Sequence, residues 1–301
     1  MSLEALPEKW DLIIVGGGIT GAGILREAIR TGLHVLLVEQ KDFAWGTSSR
    51  SSKLVHGGLR YLKEGQFWLT KVSVEERERL LKEASGLVEP LGFLMPVYSG
   101  QKPGRWTLET GLSLYDLMAH DKQHRFYGAQ EFSMLAPHIK QEGLLGGFRF
   151  LDAQVDDARL VQRLINEAVV SGANALNYIT VTEIRRNARD EVVGVEVEDT
   201  ETHATKTFST RAVINATGSW AEKLHPSPEP NVHLRPLRGS HLVFPSWALP
   251  VAQAVSFVHP ADNRPYSLFP GKEPYSLARP MWITRKISPS NLQSPRRRFR
   301  T

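Results

Sequence analysis

The sequence predicts an α/β fold in which one domain, built on a parallel βαβ unit, is joined to a discontinuous α+β domain. Two observations predict this class. The stretch DLIIV (residues 11–15) is a short apolar run that opens directly into a glycine-rich turn. The turn is followed by a helical pattern that ends near Gly32, and then by HVLLVE (34–39), a second buried run. A strand, a helix and a strand in this order are typical of a parallel sheet.

Gly16, Gly18 and Gly21 stand between the first predicted strand and the helix, in the spacing GxGxxG. In a Rossmann-like domain the first glycine allows a tight turn, the second lets a pyrophosphate approach the backbone, and the third lets the helix pack on the strand. Glu39 ends the second predicted strand, where a carboxylate can accept hydrogen bonds from both hydroxyls of an adenosine ribose. These four residues are predicted to hold a dinucleotide. The βαβ unit alone does not distinguish FAD from NAD.

The next segment, GTSSRSSKLVHGG (46–58), is rich in serine, threonine and glycine. Its hydroxyl and amide groups directly follow the strand that would hold the adenosine, which suits a loop beneath a cofactor longer than its two phosphates. A flexible linker is the alternative, but the adjoining run KLVHGGLRYL is too apolar for one. The candidate cofactor-binding residues of this loop are Thr47, Ser48, Ser51, Ser52, His56, Gly57 and Gly58.

The rest of the chain is predicted to complete the first domain and to add a second. DDARLVQRLINEAVVSG (156–172) predicts a crossover helix that begins with a capping aspartate and has one apolar face. Residues 175–218 alternate short strands with polar turns and end in the buried strand VINATG. Aromatic residues, prolines and apolar runs between these pieces indicate the second domain. We expect the first domain to comprise residues 10–85 and 145–225, and the second, a substrate domain, residues 86–144 and 226–270.

Composition and charge exclude several classes of protein. The 301 residues include no cysteine, which excludes disulfides, thiolate catalysis and cysteine-ligated metals, and the histidines show no metal-ligand spacing. The net charge is +5, but residues 279–301 hold seven basic side chains and no acidic one, so the preceding chain is slightly acidic. That distribution argues against a nucleic-acid partner. The sequence shows neither a membrane-spanning run nor a secretory signal, so we expect a cytoplasmic protein.

Several motifs together resemble the FAD-dependent glycerol-3-phosphate dehydrogenases, within the glutathione-reductase-like, D-amino-acid-oxidase-type flavoproteins. In chain order they are DLIIVGGGITGAG, VEQKDFAWGTSSRSSKLVHGGLRYL, VDDARLV, VINATGSW and RGSHLVF. The glycine fingerprint and NATG occur in many flavoproteins, whereas TSSRSSKLVHGGLRYL with DDARL and GSH is more discriminating. The resemblance implies FAD as cofactor and a Rossmann-like FAD-binding domain. It also implies oxidation of sn-glycerol 3-phosphate to dihydroxyacetone phosphate, with electrons passed to quinone at the cytoplasmic face of a membrane.

The resemblance also implies roles for individual residues. Arg60 is expected to bind or orient the substrate phosphate, with an ordinary surface ion pair as the alternative. His241 is expected to transfer a proton or orient the substrate, with a core histidine as the alternative. The backbone around Val181 is expected near the adenine, with a core residue as the alternative, and that of Gly218 near the cofactor, with a strand-end turn as the alternative. His56 is a weaker candidate for proton transfer, and the glycines beside it suggest backbone contact with the flavin instead. A related flavin oxidase of amines or amino acids is the alternative function.

Residues 271–301 depart from the family's pattern, and we expect them to form an aberrant, disordered tail. Members of the family usually have PWEGxTxxGTTDxD here. Shifting the reading frame by one base permits Trp-Glu-Gly and, further on, Gly-Thr-Thr-Asp-Val-Asp-His. A frameshift near residue 270 is therefore the hypothesis, which sequencing of the locus would test. It implies a truncated chain that retains FAD weakly and has little or no activity by itself.

Overall fold

The computed structural model describes residues 3–119, 123–224, 234, 236–237, 239–258, 265–271 and 275–280. Most of the segment expected to be an aberrant tail, residues 272–274 and 281–301, lies outside the described residues. Residues Tyr275–Pro280, which belong to the same segment, form a β-strand paired on both sides. The expectation of disorder from residue 271 onward is therefore wrong for this strand.

The helices and strands are as follows. Within the described residues there are seven α-helices: α1 Ile19–Arg30, α2 Leu59–Lys63, α3 Phe67–Glu83, α4 Arg105–Ala119, α5 Ala129–Leu135, α6 Asp157–Val170 and α7 Ala221–Leu224. The same residues form fourteen strands: β1 Lys9–Val15, β2 Val35–Val38, β3 Leu54–Val55, β4 Val88–Tyr98, β5 Arg125–Gly128, β6 Leu144–Val155, β7 Asn174–Leu176, β8 Ile179–Arg186, β9 Val192–Asp199, β10 Thr205–Asn215, β11 Leu242–Pro245, β12 Ala254–Val258, β13 Pro265–Pro270 and β14 Tyr275–Pro280.

These elements form two compact units. The first comprises Met1–Gly92, Trp106–His124 and Leu151–Arg235, and the second comprises Phe93–Arg105, Arg125–Phe150 and Pro236–Thr301. The sequence predicts residues 86–144 in the second domain, whereas Trp106–His124 belongs to the first unit. A physical reason is that Tyr115 of α4 accepts a hydrogen bond from Arg77 of α3 at 2.7 Å. The two compact units do not test where the functional domains begin and end, so residues 10–85 with 145–225 and residues 86–144 with 226–270 stay the predicted domains.

The first unit is built on a six-stranded sheet with the strand order β7-β2-β1-β10-β9-β8. The first four strands in this order are parallel, and β9 and β8 continue the sheet in antiparallel fashion. The predicted run of short strands over residues 175–218 is therefore confirmed, and its last strand, β10, pairs in parallel with β1 of this sheet. Together with the helices that cover the sheet, this arrangement confirms the predicted α/β class.

The central strand β1 is buried on both faces. Ile13 and Val15 join one core cluster, whereas Leu12 and Ile14 join a second cluster that includes Leu25 of α1. Because side chains alternate between the two faces of a strand, a run with no polar interruption is what a doubly covered parallel strand requires. The sequence DLIIV meets that requirement, which is why the βαβ unit could be predicted.

The predicted crossover helix is α6, which packs beside α1. Ala22 of α1 lies in one buried cluster with Val161 and Ile165 of α6. The side chain of Asp156 caps the helix by accepting a hydrogen bond from the N–H of Arg159 at 3.3 Å. The prediction of a helix that begins at the aspartate pair and covers the sheet is confirmed.

The second unit contains a mostly antiparallel sheet. β12, β13, β14 and β11 pair in this order as antiparallel neighbours, and β12 also pairs in parallel with β4. β5 pairs with β6 in antiparallel fashion. The core of this unit includes Leu94, Phe132, Ala136, Leu144 and Val255. In the part of the chain that the structure describes, no helix combines the length and apolar character needed to cross a membrane.

Candidate cofactor-binding site

The candidate site begins where the parallel strands of the first unit end. The N–H of Gly16 donates to the carbonyl oxygen of Val38 at 2.8 Å, and the N–H of Ala216 donates to that of Val15 at 2.8 Å. The carboxyl ends of β1, β2 and β10 therefore meet at one edge of the sheet. Open parallel sheets bind nucleotides at this edge.

Glycines at this edge leave no room for side chains. Gly16 has a φ of +114°, and a Cβ there would lie 2.5 Å from the carbonyl oxygen of Ala216. A Cβ on Gly21 would lie 1.9 Å from the carbonyl oxygen of Gly16, so α1 rests directly against the turn. At Gly18 a Cβ would lie 3.1 Å from Oγ of Ser48. The predicted roles of the fingerprint therefore have a steric basis, and this bare backbone fits a diphosphate.

Gly17 is a constrained position that the fingerprint did not single out, although the run of three glycines signalled it. A Cβ there would lie 2.7 Å from Cδ1 of Phe43 and 2.9 Å from Cβ of Glu39. The N–H of Gly17 donates to Oε2 of Glu39 at 2.8 Å, and the N–H of Lys41 donates to Oε1 at 2.9 Å. An ionised carboxylate can accept about four hydrogen bonds, so Glu39 is oriented and keeps the capacity to accept from ribose hydroxyls.

The N-terminus of α1 faces the same turn. Its N-cap, Gly18, has no side chain with which to bind the first amides of the helix. The hydroxyl of Ser48 accepts a hydrogen bond from the N–H of Ile19 at 2.9 Å, which brings one member of the predicted hydroxyl loop to the glycine turn. The first amides of a helix have no partner within the helix, and together with the helix dipole they favour an anion such as a phosphate at this position.

The other hydroxyl residues of the loop have different surroundings. Thr47 begins a short 3-10 helix, and Ser52 is half-buried before β3. Oγ of Ser51 donates to Oδ2 of Asp157 at 2.7 Å, and Nζ of Lys53 pairs with Oδ1 of the same carboxylate. Ser51 thus ties the loop to the start of α6, and the sequence contained no signal for this pairing. Contact of Thr47, Ser51 and Ser52 with a cofactor stays a prediction.

Two further candidate contacts lie close to parts of this site. Ile179 begins β8 and donates its N–H to the carbonyl oxygen of Glu39 at 2.8 Å, and Val181 follows two residues later. Gly218 has a φ of +61° and follows Ala216, which borders the glycine turn. The side chain of Val181 packs against the core of the sheet, so only its backbone is a candidate. Contact of either residue with a cofactor stays a prediction.

The last part of the candidate loop is the turn before α2. Gly58 is the N-cap of α2 with a φ of +78°, Gly57 is buried, and His56 is exposed. Arg60 lies in the first turn of α2, where Nε donates to Oε1 of Glu64 at 3.0 Å. A partly exposed pair of this spacing contributes only about 0.3–0.5 kcal/mol to the free energy of unfolding.

A buried polar group below this turn was missed by sequence reasoning. Oδ1 of Asp152 accepts a hydrogen bond from the N–H of Gly57 at 2.9 Å. Nη1 of Arg77 donates to the same oxygen at 3.3 Å and to the hydroxyl of Tyr115 at 2.7 Å. Arg77 is only 1% exposed, although it stands in the run EERERL, which is typical of a solvated helix face. Its partners lie 38 and 75 positions away, and no local pattern joins them.

The pKa of Asp152 predicts a specific pH dependence. Burial raises this pKa from 3.8 to about 6, against the opposing effects of Arg77 and the N–H of Gly57. Because the folded chain then binds the proton more tightly than the unfolded chain, the stabilisation is complete below pH 3.8 and is lost as the pH rises through about 6. Relative to the wild type, Asp152→Asn should gain about 2 kcal/mol of unfolding free energy between pH 4.5 and 7.5. Denaturant titrations at both pH values measure this difference, and a difference that does not vary with pH would contradict the assignment.

The two candidate catalytic residues lie in different units. Arg60 belongs to the first unit, whereas His241 belongs to the second, where it is half-buried immediately before β11. The roles of both residues, and their joint action on one substrate, stay predictions.

Comparison with curated proteins identifies close relatives of this chain. The aerobic glycerol-3-phosphate dehydrogenase of Staphylococcus haemolyticus is 36% identical over 262 residues, which cover 85% of this chain and 47% of that protein. The corresponding protein of Staphylococcus saprophyticus is 34% identical over 296 residues, which cover 96% of this chain and 53% of that protein. The chain therefore spans about half the length of the curated relatives it matches.

Solved structures share the fold. The glycerol-3-phosphate dehydrogenase from Bacillus halodurans complexed with FAD superposes with a TM-score of 0.71 at 29% identity, covering 92% of this chain and 48% of that chain. The family model of FAD dependent oxidoreductases matches residues 11–280, and so extends beyond residue 270, where the resemblance was expected to end. The match covers most of the 301 residues, and the chain belongs to this family of FAD dependent oxidoreductases.

Proposed function

We propose that this chain binds FAD and oxidises sn-glycerol 3-phosphate to dihydroxyacetone phosphate, with the electrons passing on to a quinone. The observation that carries the proposal is the bare backbone cradle of Gly16 and Gly21 beside the N-terminus of α1, on a chain 36% identical to an aerobic glycerol-3-phosphate dehydrogenase. Bound FAD would supply the acceptor, taking a hydride from carbon 2 of the substrate at flavin N5. The remaining tasks fall to the protein.

The diphosphate would lie against the glycine turn, with Glu39 accepting from the adenosine ribose. These contacts need an oriented carboxylate, and the N–H groups of Gly17 and Lys41 supply the orientation. The N-terminal amides of α1 and the hydroxyl of Ser48 offer polar partners for the phosphates. The turn at Gly57 and Gly58 would place backbone against the flavin, since neither residue carries a side chain that could hold the ring away.

Two tasks concern the substrate. Its phosphate is a dianion, which a guanidinium binds through two parallel hydrogen bonds, and Arg60 is the candidate for this role. The hydroxyl at carbon 2 must lose its proton as the carbon is oxidised, and an imidazole can accept that proton near neutral pH. His241 is the candidate for that step. Arg60 would also orient carbon 2, because a bound phosphate fixes the three-carbon chain that follows it.

The electron acceptor and the location are further parts of this proposal. The relatives that match are named aerobic dehydrogenases, which suits an acceptor other than nicotinamide. A cytoplasmic protein that associates with the inner face of the membrane would reach a quinone dissolved in the bilayer. Flotation of the purified chain with vesicles, with and without a short-chain quinone, tests this part separately from the oxidation itself.

The alternative substrate class, amines or amino acids, is supported only by similarity of fold. The L-proline dehydrogenase from P. horikoshii superposes with a TM-score of 0.71 but is 17% identical, over 92% of this chain and 71% of that chain. Similarity at this level shows the fold alone, and one fold supports many substrates. No described residue favours an amine over a phosphate ester.

Anaerobic reduction of the FAD-loaded chain tests the proposal without an electron acceptor. Because the truncated chain is expected to retain FAD weakly and to turn over little, the experiment follows a single turnover at saturating FAD. We expect sn-glycerol 3-phosphate to bleach the oxidised-flavin absorption band, because a single turnover needs only substrate and cofactor. Glycerol, which lacks the phosphate, is the matched control and should bleach it far more slowly. Bleaching by sarcosine, L-proline or D-amino acids, with none by sn-glycerol 3-phosphate, would contradict the proposed substrate class.

A further inference from the structure

The fully buried side chains of α3 lie against the turn at Gly57 and Gly58. Its buried side chains are Thr70, Val74 and Arg77, spaced four and three residues apart and therefore on one side of the helix. Oγ1 of Thr70 lies 3.4 Å from the carbonyl oxygen of Gly58. Cγ2 of Val74 would lie 2.9 Å from a Cβ at Gly57. The face therefore fits a turn that has no side chains.

Arg77 continues this contact through charged and polar partners. Its Nη1 donates to Oδ1 of Asp152, and that oxygen also accepts from the N–H of Gly57. The same nitrogen donates to the hydroxyl of Tyr115, which a Cβ at Gly57 would approach to 2.1 Å. Nη2 donates to Oε1 of Glu78 at 2.6 Å. Arg77 is thus connected to the backbone of Gly57 by way of Oδ1 of Asp152, which bonds to both residues. It also bonds to the hydroxyl of Tyr115, which lies against Gly57.

A general stabilising role does not account well for this arrangement. Replacing a buried ion pair with apolar side chains of similar volume is often neutral or stabilising, so burial of a charged pair is weak evidence for a contribution to stability. A fixed guanidinium and carboxylate do, however, define the direction of every hydrogen bond they make. Here one of those bonds ends on the amide of Gly57, directly before the helix that carries Arg60.

We propose that Arg77 is a positioning residue: with Asp152 and Tyr115 it fixes the turn at Gly57 and Gly58, and thereby sets where α2 presents Arg60 to the substrate. This inference rests on the function proposed above. A displaced turn would move Arg60 away from the phosphate and relax the backbone beneath the flavin. The expected defect is therefore in substrate binding and in the flavin environment, in addition to the loss of stability that follows when one partner of a buried ion pair is removed.

The test uses Arg77→Lys, Arg77→Met and Tyr115→Phe, each in the full FAD-loaded chain. Arg77→Lys keeps the charge but loses the several fixed N–H donors of the guanidinium, and Arg77→Met keeps the approximate length without the charge. Tyr115→Phe removes only the hydroxyl that Arg77 contacts. Arg79→Met is the matched control, because Arg79 lies on the same helix, pairs with Glu76 and is 55% exposed. Tyr115→Phe serves as the conservative variant should the substitutions of Arg77 prevent folding.

Three quantities are measured: hydrogen exchange of the peptide covering residues 54–66, the circular dichroism of the bound flavin, and KM and kcat for sn-glycerol 3-phosphate. We expect faster exchange in that peptide and altered flavin dichroism in all three variants. KM should rise at least about tenfold with a smaller change in kcat, as expected when a charged phosphate contact is displaced. Arg79→Met should match the wild type in every quantity.

Two outcomes would overturn the inference. One is exchange in residues 54–66 that stays at the wild-type rate in all three variants, and the other is faster exchange spread evenly over the chain, which would indicate a purely structural role. Failure of the proposed function is distinguishable, because the wild type would then not be reduced by sn-glycerol 3-phosphate. The exchange and dichroism of the variants would still decide whether Arg77 fixes the turn.

Discussion

Gly21→Ala is expected to lower the affinity for FAD at least ~100-fold, which corresponds to about 2.7 kcal/mol of binding free energy. A Cβ at this position would lie 1.9 Å from the carbonyl oxygen of Gly16 and 3.5 Å from Cγ2 of Ile14. The first contact is with backbone, so it cannot be relieved by a change of rotamer. α1 must therefore move away from β1, and its N-terminal amides move away from the phosphates. The same displacement should destabilise the chain by about 1–3 kcal/mol.

Gly23→Ala is the matched control for this prediction. Gly23 lies on the same helix two residues later, and a Cβ there has no heavy atom within 4 Å. In a helix interior, alanine is favoured over glycine by roughly 0.5–1 kcal/mol, so this variant should be slightly more stable and should bind FAD normally. Calorimetric titration with FAD and denaturant unfolding measure both effects. Equal affinity of the two variants would mean that the turn does not hold the diphosphate.

Arg60→Ala is expected to raise KM for sn-glycerol 3-phosphate by roughly 10- to 100-fold, since a hydrogen bond to a charged group contributes ~1.5–3 kcal/mol. Arg60→Lys should recover only part of this loss, because an ammonium cannot form the two parallel bonds of a guanidinium. The competing interpretation is that Arg60 serves only its ion pair with Glu64. Steady-state kinetics with an artificial electron acceptor distinguishes the two.

Glu64→Gln is the control for Arg60, because it removes the charge of the same ion pair and leaves the guanidinium in place. We expect KM to stay within about threefold of the wild type, in line with the small contribution of exposed pairs of this spacing. If Arg60→Ala and Glu64→Gln had the same small effect on KM, the assignment of Arg60 to the substrate phosphate would be wrong.

The parts of the fold that could be predicted are those encoded locally. DLIIV, the glycine spacing and HVLLVE lie within 29 consecutive residues, and their hydrophobic patterns directly express burial on two faces. The aspartate pair before α6 is likewise a local capping signal, and the structure confirms Asp156 as the cap. Such features depend on neighbours in the chain, so one sequence contains the necessary information.

The parts that could not be predicted depend on partners distant in the chain. Ser51 was a candidate for the cofactor, but its hydroxyl donates to Asp157, 106 positions later. Arg77 lies in a run of charges that predicts exposure, yet it is buried because Tyr115 and Asp152 satisfy its donors. Trp106–His124 belongs to the first unit, where its Tyr115 contacts Arg77, 38 positions earlier in the chain. A hydroxyl or a guanidinium has many potential partners, and its own sequence context does not specify which of them it meets.

The central claim is that the glycine turn after β1 holds the diphosphate of FAD, and one calorimetric titration tests it most directly. FAD is titrated into the purified chain in the presence and absence of saturating ADP, which shares the adenosine and diphosphate but lacks the flavin. The account predicts that one FAD binds per chain, with the weak affinity expected of the truncated chain, and that ADP competes with it, because both ligands would occupy the turn and Glu39. Absence of FAD binding, or a preference for NAD over FAD, would contradict the account.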